Sequence, residues 1–194
     1  MKKIVFAPGG WESAGLTHCY SWRFDALPVF RGEPDCILNG RTPDGEDFEY
    51  MGLLAGEDYS FGSSISVRCG FEELGAPMLL VSFSEETGPD GELRLLEYYE
   101  IVIWKNGLNV WRHHTETDGD GRKKTSHYLS LGAEFPLSGG EIHTLSAEVR
   151  ENRMLLAVDN HRFDLFLQDL KAPFRLGYAA CEGICRLYEM TLGS

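Results

Sequence analysis

From Tyr59 to the C-terminus the chain alternates apolar and polar residues over runs of about six to twelve, separated by clusters of turn-forming residues. A period of two marks strands with one face on a core, because successive side chains leave a strand on opposite sides. In Ser64–Phe71, residues Ile65, Val67, Cys69 and Phe71 share one face, and Ser64, Ser66 and Arg68 take the other. The same alternation recurs in Leu79, Val81 and Phe83, in His143, Leu145, Ala147 and Val149, and in Phe163, Leu165 and Leu167. Further strands are predicted over 94–105, 109–115, 124–131, 154–158, 174–181 and 185–192. Between them lie Gly88-Pro89-Asp90-Gly91, Asn106-Gly107, Asp118-Gly119-Asp120-Gly121, Ser138-Gly139-Gly140 and Asp159-Asn160, all compositions that turn hairpins. About ten short strands at this spacing, without a sustained helical period, predict an all-β antiparallel sandwich or barrel and argue against a parallel α/β fold. One helical turn is expected near Gln168-Asp169-Leu170, ended by Pro173. Residues 1–58 are less regular and rich in Gly, Pro and Trp, so short edge strands and long loops are expected there.

Composition narrows the class. At 194 residues, one domain spanning 1–194 is the expectation. With 43% apolar, 12% aromatic and 25% charged residues the chain can bury a real core, which excludes a disordered chain, a coiled coil or a collagen-like repeat. The 30 acidic residues against 18 basic ones give a net charge of -12, a field that repels phosphate backbones and anionic lipid. Nucleic acid and membrane are therefore not expected as partners. The apolar run Ile4–Ala7 before Pro8-Gly9-Gly10 is too short for a signal peptide, and no stretch approaches the ~18 apolar residues of a membrane span, so a soluble, cytoplasmic protein is expected. Its five cysteines are odd in number and scattered, which reads as buried thiols rather than a disulfide framework. Cys181 and Cys185 bracket a hairpin turn at Glu182-Gly183, with no second cysteine pair or nearby histidine to complete a zinc site. No metal or cofactor is expected.

Four phrases carry a resemblance: Tyr98-Tyr99-Glu100-Ile101-Val102-Ile103, Gly107-Leu108-Asn109-Val110-Trp111-Arg112-His113, Glu141-Ile142-His143-Thr144-Leu145-Ser146-Ala147-Glu148 and Leu155-Leu156-Ala157-Val158-Asp159. In this order the chain resembles concanavalin A-like lectin/glucanase domains over roughly residues 59–192, and the Tyr98–His113 stretch is most similar to the YesU-like group of bacterial proteins. The resemblance implies two curved antiparallel sheets packed as a jelly roll, with a concave outer face where related proteins bind or cleave glycans. Glucanase members of the superfamily place acidic residues at alternating positions so that all point into one groove. Here Glu97 and Glu100 are three apart and face opposite sides of a regular strand, so they do not form the paired acid and nucleophile of a retaining glycosidase. Glu141-Ile142-His143 is only superficially similar to the phrase used by alginate lyases, because His143 is in register with core-facing Leu145 and Ala147.

The candidate site follows from strand parity. Tyr99, Ile101 and Ile103 form the apolar face of the 94–105 strand, leaving Tyr98, Glu100, Val102 and Trp104 opposite. A carboxylate among aromatics can bind sugar hydroxyls or act as a general acid or base; alternatively Glu100 pairs with Arg68 or Arg112 on neighbouring strands. After the Asn106-Gly107 turn, Trp111-Arg112-His113-His114 runs antiparallel beside Glu100, so His113 or Arg112 is expected across from it. The parity of this strand is open, and Trp111 either stacks on a sugar or packs in the core. Glu100 and His113 are the catalytic candidates if the protein is a glycan-active hydrolase or lyase. Tyr98, Trp104, Arg68, Arg112 and Trp111 are the ligand-binding candidates. Asp118-Gly119-Asp120-Gly121 resembles a fragment of a calcium loop but lacks its later glutamate, and reads as a hairpin tip. Trp11 and Trp22 either anchor loops or rim the groove. The expected partner is an oligosaccharide or polysaccharide fragment; the alternative is a protein-interaction module or homodimer using the exposed sheet face.

Overall fold

In the computed structural model, which describes residues 1–22, 30–39, 50–72 and 74–194, no helix occurs among those residues. The first five strands are β1 (Lys2–Val5), β2 (Leu16–Ser21), β3 (Phe30–Gly32), β4 (Ile37–Asn39) and β5 (Met51–Ala55). Then come β6 (Ser64–Phe71), β7 (Ala76–Thr87), β8 (Leu93–Trp104), β9 (Gly107–Thr117) and β10 (Lys123–Glu134). The last five are β11 (Ile142–Arg150), β12 (Arg153–Val158), β13 (His161–Phe166), β14 (Arg175–Cys181) and β15 (Cys185–Gly193). The ten strands expected after Tyr59 are the ten found, β6 to β15.

An eight-stranded sheet runs β13-β12-β11-β6-β15-β4-β3, with β1 also alongside β15; the remaining seven strands make the second sheet. The sheets pack through one buried cluster. Ile65, Val67, Cys69 and Phe71 of β6 lie in it with Leu79 and Val81 of β7, and with Tyr99, Ile101 and Ile103 of β8. This is the face assignment the alternation predicts. Each fully buried side chain of this kind stabilises the fold by about 1.5–3 kcal/mol before entropy is counted.

The seven-stranded sheet carries a second core on its other face. Its strands β5, β14, β7 and β8 pair in succession. The circuit is then closed by β2, which pairs with β5 through Leu16–His18 and, in parallel, with Leu93–Leu95 of β8 through Cys19–Ser21. Five strands thus form a ring. Its interior holds Cys19, Tyr50, Leu54, Met78, Leu80, Leu95, Tyr98 and Ala179. The sheet is rolled around these residues, helped by register shifts in the β7–β8 pairing between Ser82 and Glu85, since bulges increase twist and bend. Gly52 marks the tightest approach. A Cβ there would stand 2.3 Å from the Cys19 carbonyl oxygen, so β2 and β5 close only over a glycine.

Two expectations are corrected. The region 1–58 is not confined to edge strands and loops. β5 is a central strand, buried on both faces, between β2 and β14. Its sequence Met-Gly-Leu-Leu-Ala lacks alternation because Leu53 faces the intersheet core and Leu54 the ring interior. Residues 23–29 and 40–49 lie outside the described residues. The helical turn expected at 168–170 is absent; 167–172 is irregular. There Asp169 accepts hydrogen bonds from Tyr99 and Arg112 instead of winding into a turn. No helix of the described residues is long and apolar enough to cross a membrane.

Candidate functional site

The face of β8 opposite the intersheet core carries Tyr98, Glu100, Val102 and Trp104, as parity predicts. The register of β8 with β9 settles the open question of the 109–115 strand. Tyr98 lies across from His113, Glu100 from Trp111 and Val102 from Asn109, so Trp111 and His113 share the Glu100 face. β10 extends it, with His127 across from His113 and Leu129 across from Trp111.

These side chains form a line of rings. Tyr98 stacks on His113 with centroids 4.5 Å apart and planes 7° apart. His113 stacks on His127 at 5.7 Å, and Trp111 meets the His127 ring edge-on at 5.7 Å. Glu100 Oε2 is 2.9 Å from His113 Nε2. The oxygen lies off the ring N–H direction, however, and neither His113 ring nitrogen has an aligned hydrogen-bond partner among the described residues. Both groups are enclosed, Glu100 being 4% and His113 0% exposed. Tyr98 is held from the ring side, its hydroxyl 3.0 Å from the Ser21 hydroxyl. Burial pushes the Tyr50 hydroxyl far above the ordinary tyrosine range, and the Glu100 carboxylate adds to this. His127 and Leu129 are exposed, while Trp104, Asn109 and Trp111 are half-buried. The line therefore runs from a sealed end at Tyr98 to an open end at β10.

The two arginines are not part of this arrangement, so neither is the partner of Glu100. Arg68 is on β6 of the other sheet and is exposed on its outer face. Arg112 is across from Tyr99, on the intersheet side of β9. It donates through Nε to Asp169 Oδ2 at 2.8 Å, and its guanidinium lies over the rings of Phe83 and Tyr99. Glu97 faces the same way, bonded to Lys171 Nζ at 2.7 Å and 3.1 Å from His114 Nδ1. The hydrogen bond from Lys171 holds the Glu97 carboxyl below its ordinary range. For Asp169 burial works upward, but hydrogen bonds from Tyr99 and Arg112 outweigh it and hold that carboxyl low. Glu97 and Glu100 accordingly stand on opposite faces of β8.

The other candidates resolve individually. His143 is buried, with Nδ1 2.8 Å from Asp159 Oδ2 and Nε2 2.9 Å from the Ser138 carbonyl, so it links two turns. Asp118 Oδ1 accepts from the backbone N–H groups of Asp120 and Arg122, which makes it the organiser of a hairpin tip. Trp11 packs on the core beside Phe6. Trp22 lies under Lys123 of β10 and Arg94 of β8, at the rim of the outer face. Sequence reasoning missed His127, whose strand was predicted but whose alignment beside His113 only the register reveals. It also missed the grouping of Glu33, Asp35 and Cys36, whose potential ligand atoms lie within 4.8 Å of one another, and which comes from the short β3–β4 connection.

No family model and no curated protein matches the sequence. Solved structures do match its fold. The carbohydrate-binding module CBM66 from Bacillus subtilis aligns with a TM-score of 0.59 at 12% identity, covering 93% of this chain and 96% of its own. An endo-acting O-glycanase structure from human gut microbiota that initiate mucin breakdown aligns with a TM-score of 0.62 at 12% identity, covering 97% and 94%. A family 16 endo-glucanase from Bacteroides ovatus aligns with a TM-score of 0.55 at 12% identity, covering 98% and 93%. The architecture is the all-β, concanavalin A-like jelly roll.

Proposed function

We propose that this protein binds a saccharide on the outer face of β8, β9 and β10, as a recognition protein rather than a glycosidase. The observation that carries the reading is the row of Trp104, Trp111 and His127 on that face, beside the Glu100–His113 pair. Flat rings stack on the apolar faces of sugars, and a few polar groups among them orient the ligand. That solved structures of the same fold include a carbohydrate-binding module and glycan-cleaving enzymes supports the choice of ligand class. The YesU-like resemblance of the Tyr98–His113 stretch is part of the same proposal.

Binding is favoured over cleavage by two features of Glu100. It is enclosed, and the neighbouring carboxylate Glu97 points to the other face, so β8 does not present the two facing carboxyl groups of a retaining or inverting hydrolase. The acidic surface, at -12 overall, favours a neutral ligand over an anionic one.

A panel of plant and microbial oligosaccharides, read by thermal shift and by release of reducing ends or unsaturated products, tests this. Stabilisation without product is the expected outcome. Trp111→Ala should weaken binding by about tenfold or more, the loss of one stacked ring, without lowering the melting temperature by more than a few degrees. Product release abolished by Glu100→Gln would instead make the protein an enzyme.

One observation favours a second reading. Tyr128 and Leu129 are 55% and 49% exposed on opposite faces of β10, a strand at the end of its sheet whose edge is suited to pairing with another protein or a second copy. Silence across the panel together with a concentration-dependent mass in solution would favour it.

A further inference from the structure

We infer that β13 is a self-complementary edge on which a second copy of this chain pairs, antiparallel, about a two-fold axis at Phe163. This is independent of the saccharide reading. β13 ends the eight-stranded sheet, and among the described residues no strand pairs with its outer edge. Its hairpin with β12 has a two-residue loop, Asp159-Asn160, flanked by Val158 and His161. In such a hairpin the flanking pair exchanges backbone hydrogen bonds, and the bonded pairs then recur at every second residue. His161, Phe163 and Leu165 therefore turn their N–H and C=O groups to β12, and Arg162, Asp164 and Phe166 turn theirs outward. Unpaired groups in such a row are a template for a further strand. Edges are commonly shielded by lysine, proline or a bulge. β10 carries Lys123, Lys124 and a register shift after Leu129, whereas β13 has none of these devices.

The sequence His161-Arg162-Phe163-Asp164-Leu165-Phe166 fits its own reverse. With the axis at Phe163, Arg162 of each copy lies directly across from Asp164 of the other. These are the pairs whose outward backbone groups can exchange, giving about four hydrogen bonds across the axis. They also join opposite charges. Moving the axis by one residue either way would set Arg162 or Asp164 against its own copy, a like-charge contact, so charge selects this register. Both side chains are exposed and keep capacity for a partner. Arg162 bonds its own turn through Nη1 alone, and Asp164 takes Arg153 at Oδ2 while its side chain stays 57% exposed. On the other face the two Phe163 rings meet across a non-hydrogen-bonded position, where side chains stand closest. Phe163 and Leu165 are half-buried against the core, and the second copy covers what remains of them. Phe166, 58% exposed, comes across from the other copy's Asn160.

A net charge of -12 on each copy opposes association, and a strand of 6 residues makes a small interface. The dimer is therefore a weak one, with a Kd on the order of tens of micromolar. Sedimentation of the full chain from about 1 to 500 μM tests it. The expected result is a monomer–dimer equilibrium that Arg162→Asp and Asp164→Arg each weaken by about tenfold or more, because either change turns both cross-strand pairs from attraction to repulsion. An equimolar mixture of the two variants should restore the dimer to within a few-fold of the parent, since every pair then joins opposite charges. Melting temperatures of the separate variants within a few degrees of the parent show that the fold is kept. A parent that stays monomeric throughout overturns the inference. So does a dimer that neither substitution weakens, which places the contact elsewhere, and so does a mixture that remains monomeric.

Discussion

Asn39 shows how much a single side chain can hold. It is fully buried, its amide donates to the Gly183 carbonyl, and its Oδ1 accepts from the Cys185 N–H at 2.6 Å. It therefore satisfies both sides of the Cys181–Cys185 turn, in which Glu182 has a φ of 62°, a left-handed conformation that an L residue adopts at some cost. Asn39→Ala would leave two buried backbone groups unsatisfied, each worth roughly 1–3 kcal/mol. A loss of about 2–4 kcal/mol in urea unfolding is expected, a large share of a typical domain's stability. Asn39→Asp keeps the acceptor but turns a buried carboxyl oxygen against the Gly183 carbonyl, so at neutral pH it should cost at least as much as Asn39→Ala. Gly52→Ala is expected to destabilise for the opposite reason, overpacking, by about 1–3 kcal/mol, because the intruding atom is opposed by backbone and not by a movable side chain.

Among elements, the end of the sandwich where residues 167–174 meet β8 and β9 is tied by charge. Glu97, Lys171, Arg112, Asp169 and Tyr99 form one connected set. The Glu97 and Asp169 carboxyls are both held below their ordinary values of 4.5 and 3.8. A carboxyl depressed in the folded state binds fewer protons there than when unfolded, so its stabilisation is present above those ordinary values and is lost as the pH falls through the depressed ones. Melting curves between neutral pH and about pH 3 should show Asp169→Asn melting below the parent at neutral pH, with the gap shrinking as acid removes the same interaction from the parent. A gap independent of pH would show that Asp169 acts by shape and not by charge. The alternating strands β6, β11 and β12 were legible because each has one face on the core and one in solvent. The strands β5, β7 and β14 were harder to read, since cores on both faces erase the period of two and leave runs such as Met-Leu-Leu-Val. The helical turn expected at 168–170 failed because tertiary hydrogen bonds to Asp169 outweighed a local preference.

For the whole molecule, all five cysteines are free and buried. Burial pushes the thiols upward, Cys36 to about 12, with the hydrogen bond to Glu33 adding to it, and Cys19 and Cys69 further still. The reactive species is the thiolate, so the native protein should be inert to a thiol reagent such as DTNB at neutral pH and expose five reactive groups only on unfolding. Labelling in native buffer faster than global unfolding would reveal local opening of the ring or of the β3–β4 region.

The sequence by itself determined the β class, the ten later strands and most turns, and the faces of β6 and β8, because these follow from a local period and from residues that favour particular backbone angles. It also separated Glu97 from Glu100 by parity alone. Which strands would be neighbours was left to the tertiary structure. The closing of β2 onto β8 decided that half of the outer face is a sealed core, and the registers of β8 with β9 and of β9 with β10 decided that Glu100 pairs with His113 and not with an arginine and that His127 completes the row of rings. Register between strands distant in the chain depends on how whole faces are buried together, a quantity that no local window of residues contains.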